Sequence, residues 1–325
     1  MSYTIRDMKN RGILLGLLIV LCVLSIVFYI MNMNRTSNIE GFSDNIQLKN
    51  WWDDSNTKNI ETCQHIFQSL FTDTKKKVVI YSVFSTLEKP IKPDNNTILV
   101  QFSGESTFND PTWFDINFIP VEVDAEHHVV LFPYAYFHIL YNHIDIHKLT
   151  IPRTFSNIVN QKFCLFAVSN GNATERKEMF LELSKYKTVD SCGKFMNNMN
   201  MNCPESHDST QYFDFISDYK FMICFENTSK PNYFTEKLIN AYLNGTIPIY
   251  WGCPNIQDYV NMDAILYLSP NYSIEERDQL IQKIIYLDTH PDSYQSMYEK
   301  IFFKNGQIPQ EFNLEKIKEK ISVIL

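Results

Sequence analysis

The chain has 325 residues, of which 45% are hydrophobic and 20% charged, and its formal net charge is −8. That length accommodates one membrane segment and a core for two lobes, and the hydrophobic fraction excludes an intrinsically disordered chain. An acidic balance without a Lys/Arg block of the nucleic-acid-binding type excludes nucleic acid as the main partner.

Residues 13–31 form an uncharged run rich in Leu, Ile and Val. At ~1.5 Å per helical residue such a run approaches the ~30 Å hydrocarbon core of a bilayer. Arg6, Lys9 and Arg11 precede it and only Arg35 follows closely, so the positive-inside rule places the amino end in the cytoplasm. Met31, Asn32, Met33 and Asn34 do not make a small-residue cleavage site, which favours a retained signal anchor over a cleaved signal peptide. Residues 1–12 therefore read as a cytoplasmic tail, 13–31 as a transmembrane signal anchor and 32–50 as a polar stem, giving a single-pass type II membrane protein.

A first lobe is expected over residues 51–158. Residues 78–84, 97–102 and 129–136 are strand-like. Glu105 stands in a Ser/Gly turn at the end of the second of these runs, with Asp110, Asp115, Glu122 and Glu126 as further carboxylates nearby. Trp113 and Tyr136 are candidates to stack on an acceptor sugar, although large aromatics more often fill the core.

A second lobe is expected over residues 159–325. Residues 162–168 read as a buried strand, 169–172 as a turn, and 174–186 as a helix with Met179, Phe180 and Leu183 on its apolar stripe. A strand start follows at 187–190 and a turn at 191–194. The stretch 218–254, DYKFMICFENTSKPNYFTEKLINAYLNGTIPIYWGCP, then reads as strand, loop, helix and strand. Residues 221–225 and 247–251 are apolar runs. Between them Leu238, Ala241 and Tyr242 repeat at helical spacing, and Gly245 stands where the helix stops. This is a βαβ unit of a parallel sheet, whose ligands bind at the carboxyl ends of the strands. Those ends carry Glu226, Asn227, Tyr233, Glu236 and Lys237. Glu236 can accept hydrogen bonds from ribose hydroxyls, and Lys237 with the helix amino end can hold a diphosphate. Taken alone, a Glu-Lys pair in a first helical turn is usually a solvated face. Residues 275–287 and 291–303 read as helices, and Leu314, Ile317, Ile321 and Ile324 share one face of a last helix that packs on a lobe. The seven cysteines include no C-x-x-C pair, which argues against a zinc site. Cys164 and Cys224 lie in apolar runs as core residues, and the pairing of the others is open.

FENTSKPNYFTEKLINAYLNGTIPIYWG resembles the signature of the α1,3/α1,4-fucosyltransferase family, glycosyltransferase family ten: FEN, a short loop, Y-x-TEK-L-x-NA, then a Gly before a P-I/V-x-x-G strand. The resemblance runs from about residue 98 to about residue 254. It implies an α/β protein of the GT-B fold, two Rossmann-like lobes with a cleft between them, preceded by one transmembrane helix. The first lobe would bind the acceptor and the second the nucleotide sugar. The implied reaction is inverting transfer of L-fucose from GDP-β-L-fucose to a glycan hydroxyl in a Golgi-type compartment, with α1,3 linkage to GlcNAc or Glc expected and 1,4 and 1,2 linkages left open by the residues.

Inverting transfer needs a base for the acceptor hydroxyl and a holder for the leaving diphosphate. Glu105 resembles the family's proposed general base. Arg176 resembles the arginine that follows a V-S-N turn, here Val168, Ser169 and Asn170. Ser169, Asn170, Asn227, Tyr233, Glu236 and Lys237 match family residues around the nucleotide. Asn232 stands where a Gly is frequent, Phe234 replaces a smaller β-branched residue, and Met196 stands where the family often has Leu. No Asp-x-Asp triad occurs, so the resemblance implies no cofactor and no protein-bound metal. Arg176 and Lys237 would neutralise the diphosphate instead. Two alternatives remain open on the residues: a transferase of the same fold using another sugar nucleotide, and an inactive sugar-binding membrane protein.

Overall fold

Runs of Val, Ile and Phe with alternating outlook pair in parallel throughout the computed structural model, which describes residues 45–51, 57–83, 88–121, 128–155, 162–204 and 209–325. The expected tail, anchor and most of the stem lie outside the described residues, as do Glu122 and Glu126. Among the described residues no helix is long and apolar enough to cross a membrane.

The first sheet has the order β1 (Ile46–Lys49), β2 (Lys77–Ser82), β3 (Thr97–Phe102), β4 (Ile116–Ile119) and β5 (Val129–Leu131), all parallel. Val78, Ile80, Ile98, Val100, Phe102, Phe118 and Val130 face a core closed by α1 (Thr57–Leu70) and α2 (Tyr134–Tyr141). Val79 and Leu99 point the other way, to a small cluster with Phe114. The second sheet has the order β10 (Leu266–Tyr267), β9 (Ile247–Trp251), β8 (Tyr219–Phe225), β6 (Lys162–Phe166) and β7 (Val189–Ser191), again parallel.

The two-residue pleat splits the second sheet's side chains between two cores. Phe221, Ile223 and Phe225 of β8 pack with α3 (Thr174–Ser184), α6 (Ile274–Thr289) and α7 (Pro291–Tyr298). Met222 and Cys224 join the same core as the first sheet, through α5 (Glu236–Leu243). The remaining second-lobe helix is α4 (Thr210–Ser217). Each of these fully buried large side chains contributes roughly 1.5–3 kcal/mol of transfer free energy. One apolar core therefore runs through both sheets, and His138 of α2 meets Asn240 of α5 at 2.8 Å inside it.

Two expectations change. The run 129–136 is not one strand: β5 ends at Leu131, and Pro133 caps a helix that begins at Tyr134, because the fixed φ of proline suits a helix start and removes a ladder donor. The run 291–303 is helical only to Tyr298. Phe302 and Phe303 are wholly buried in irregular chain, packing on Tyr242 and Phe312. The last helix, α8 (Leu314–Ile324), crosses back to the first sheet, where Ile317 and Ile321 cover α1 and β5. Cys164 and Cys224 are buried free thiols, as are Cys63 and Cys253, while Cys192 and Cys203 form a disulfide.

Candidate active site

The carboxyl ends of β3, β6 and β8 converge on a cavity of about 410 Å³. The eight residues that the family resemblance assigns to catalysis and donor binding line it: Glu105, Ser169, Asn170, Arg176, Asn227, Tyr233, Glu236 and Lys237. Gly104, Tyr134, Ala167, Val168 and Thr235 complete the wall.

Glu105 comes from the first sheet. Ser103, wholly buried at the end of β3, shapes its turn: the hydroxyl accepts the Glu105 N–H at 3.1 Å and lies 3.0 Å from the Glu105 carbonyl and 2.5 Å from that of Thr107. The ring of Tyr134, at the start of α2, presses on Gly104, where a Cβ would sit 2.5 Å from it. Across the cavity, Asn227 Nδ2 and the Tyr233 hydroxyl each approach Glu105 Oε2 at 3.5 Å, and Tyr233 donates to Asn227 Oδ1 at 3.1 Å. Burial raises the Tyr233 pKa, and the Glu226, Glu105 and Glu236 carboxylates add to the rise. The phenol is therefore a donor, not an ionised base.

The second sheet supplies the charge. Glu226, wholly buried at the end of β8, accepts the Thr235 N–H at 2.8 Å and the Thr235 hydroxyl at 2.9 Å. It thereby caps α5, whose N-cap residue Thr235 makes no side-chain cap bond of its own. Gly252 (φ +149°) makes room, since a Cβ there would lie 2.6 Å from Glu226 Cγ. Lys237 Nζ sits 2.9 Å from the Thr235 hydroxyl, 3.1 Å from Glu236 and 3.5 Å from Glu226. Burial works against its charge, but Glu236 and Glu226 outweigh burial and hold Lys237 above the ordinary lysine range. Burial likewise raises the Glu226 pKa, against the pull of Lys237.

Arg176 is more committed than a simple phosphate holder. Its Nε and Nη2 donate to the Phe225 carbonyl at 3.1 and 2.8 Å, and Nη1 donates to the Asn170 carbonyl at 2.8 Å. It thus ties the start of α3 to the end of β8 and to the 169–172 turn, with its remaining N–H groups for a ligand. Burial lowers its pKa, against Glu226, Tyr233 and Glu236.

Other candidates fall elsewhere. Asp110 caps a short turn through Thr112 N, and Asp115 accepts the Leu99 N–H and pairs with Lys92; neither lines the cavity. Tyr136 is buried against Phe132 and Phe312, and Trp113 packs beside Phe114. Tyr134 takes the aromatic place at the cavity. Its signal was the Pro-Tyr pair just beyond β5, at a carboxyl strand end. Glu226 was visible at a strand end, but its burial and its cap to Thr235 were not. Among the described residues, no group of His, Cys, Asp and Glu is placed to hold a metal ion.

Residues 159–308 match the family described as glycosyltransferase family 10 (fucosyltransferase) C-term. The chain is 30% identical over 238 residues to a provisionally named fucosyltransferase of Acanthamoeba polyphaga mimivirus, covering 71% of this chain and 37% of that protein. It is 34% identical over 142 residues to the alpha-(1,3)-fucosyltransferase of Helicobacter pylori, covering 44% of this chain and 28% of that protein. The chain thus spans about a third of the length of these curated relatives. Its fold is similar to a crystal structure of an alpha1,3-fucosyltransferase, with a TM-score of 0.68 at 22% identity over 89% of this chain and 93% of the other. The parallel α/β sheets are accordingly of the GT-B-like type.

Proposed function

We propose that this chain, a member of glycosyltransferase family 10 through residues 159–308, transfers L-fucose from GDP-β-L-fucose to a glycan hydroxyl with inversion. The observation that carries the reading is the opposition across one cavity of a carboxylate from the first sheet, Glu105, and two cations from the second, Lys237 and Arg176. A protein of similar fold is known from a crystal structure of an alpha1,3-fucosyltransferase with GDP-fucose. We take an α1,3 linkage to GlcNAc or Glc as the working acceptor geometry.

In this mechanism the acceptor hydroxyl attacks the anomeric carbon of fucose as the bond to the β-phosphate oxygen breaks. The hydroxyl proton passes to Glu105, and GDP leaves with the bonding electron pair. Lys237 and the amino end of α5 stabilise the diphosphate charge, Arg176 assists through its remaining N–H groups, and Glu236 accepts from the ribose. Asn227 and Tyr233 orient Glu105. No protein-bound metal enters this scheme, so transfer should persist in chelator. The uncharged run 13–31 anchors the chain in a Golgi-type membrane in the same proposal, and alkaline extraction releasing the full chain would refute that anchor.

The test is incubation of the full chain in detergent with GDP-fucose on a glycan array. Fucosylated product, with GDP and not UDP raising the melting temperature, supports the proposal. Stabilisation by UDP alone would favour another sugar nucleotide. Stabilisation by GDP without transfer to any glycan would favour an inactive binder.

A further inference from the structure

The loop after β8 reaches across the cavity and holds the opposite lobe. Phe234 accepts the Ala135 N–H at 3.3 Å, and Asn227 and Tyr233 contact Glu105. The shortest of these ties is made by Lys230, whose Nζ donates to the Ser106 carbonyl at 2.7 Å. Ser106 is the residue next to Glu105, and it is buried. An ammonium donor makes this a charge-assisted bond, the stronger kind. Lys230 itself does not line the cavity.

The loop that carries Lys230 is fixed to its own lobe. Asn232 adopts a left-handed backbone (φ +61°), which asparagine tolerates. Its N–H donates to Asn255 Oδ1 at 2.8 Å. Its side-chain oxygen accepts from Asn255 Nδ2 at 2.7 Å and from the Tyr259 hydroxyl at 2.8 Å. Lys230 therefore extends from an anchored turn of the second lobe to the peptide beside Glu105. Ser103 grips the same turn from within the first lobe.

We propose that Lys230 is a positioning residue for the proton-accepting carboxylate: by holding the Ser106 peptide from the donor lobe, it sets where Glu105 stands when the two lobes are together. The inference rests on the reading of Glu105 as the base.

The experiment measures kcat, the KM for GDP-fucose and the GDP dissociation constant of the full chain. The acceptor is one that the array shows to be fucosylated. The variants are Lys230→Ala, Lys230→Met, Lys230→Arg, Glu105→Gln and the Lys230→Ala/Glu105→Gln pair. Loss of the tie misplaces the base, so kcat in Lys230→Ala should fall ~10- to 100-fold. The KM for GDP-fucose and the GDP affinity should stay unchanged. Lys230→Met keeps the stem and should behave as Lys230→Ala, whereas Lys230→Arg restores a donor and should recover most of the rate. In the Glu105→Gln background, Lys230→Ala should cost nothing further, since both act through one carboxylate. The inference is overturned by wild-type kcat in Lys230→Ala and Lys230→Met, by the same fractional loss in both backgrounds, or by GDP affinity falling in step with kcat. Near wild-type transfer by Glu105→Gln alone would instead overturn the base assignment, and this inference with it. An array with no fucosylated glycan would overturn the activity itself.

Discussion

Glu226 and Thr235 meet as a helix cap built from a buried charge: a carboxylate with no exposed surface accepts the Thr235 N–H at 2.8 Å and the Thr235 hydroxyl at 2.9 Å. The same carboxylate lies 3.5 Å from Lys237. Removing Glu226 strands the Thr235 donors and takes one of two carboxylates from Lys237, which keeps Glu236 at 3.1 Å. Glu226→Ala should therefore destabilise by ~1–3 kcal/mol in chemical denaturation, the cost of leaving a buried donor without its acceptor, and weaken GDP binding because Lys237 loses part of its support. A loss below ~1 kcal/mol, the range of an exposed pair, would show that the carboxylate is not holding the helix start.

Lys237 and Arg176 should separate by what else they hold. Lys237→Ala should weaken GDP binding, by ~2–5 kcal/mol where the phosphate contact is desolvated. Arg176→Ala should weaken GDP binding too, but it also strips the Phe225 and Asn170 carbonyls of their donors. A melting-temperature loss larger than that of Lys237→Ala is expected with it. Calorimetry showing unchanged GDP affinity for both variants would remove both from the diphosphate.

Glu105→Gln keeps size but cannot accept the proton. A positioned general base contributes typically ~10²–10⁴-fold, so transfer should fall by about that factor while GDP affinity hardly changes. Glu236→Gln, by contrast, should weaken GDP binding as well. If Glu105→Gln transferred at the wild-type rate, Asp110 and Asp115 would be poor substitutes, since both are held in loop structure outside the cavity.

Acid stability should track Asp288. Its side chain is 3% exposed and accepts from Lys187 at 3.1 Å and from Lys220 at 2.8 Å. Burial alone would raise its pKa, but the bonds from Lys220 and Lys187 prevail and hold it below the ordinary aspartate value. A depressed folded pKa means that the stabilisation is complete above the unfolded aspartate pKa and is lost as pH falls through the folded value. Asp288→Asn should therefore melt lower than wild type at neutral pH, and the gap should close below about pH 4, the unfolded aspartate range. A gap independent of pH would show that packing, not charge, is lost.

The sequence by itself determined the α/β class with its parallel strands and eight residues of the cavity's wall. Elements such as β8, the loop after it and α5 are set by hydrophobic period and by turn residues within one short stretch, so Asn227, Tyr233, Glu236 and Lys237 fall together wherever that stretch folds. The rule that parallel strands bind ligands at their carboxyl ends then placed Glu105 and Ser169 on the same side. Only the tertiary structure decided which groups are covered and which meet across the lobes. Lys230 and Ser106 are 124 residues apart, and Asn227 and Glu105 are 122 apart; no local period encodes such pairs. The burial of Glu226, the entry of Tyr134 and the return of α8 to the first sheet are of the same kind. Each follows from one apolar core closing over both sheets, which is a property of the packed chain and not of any segment of it.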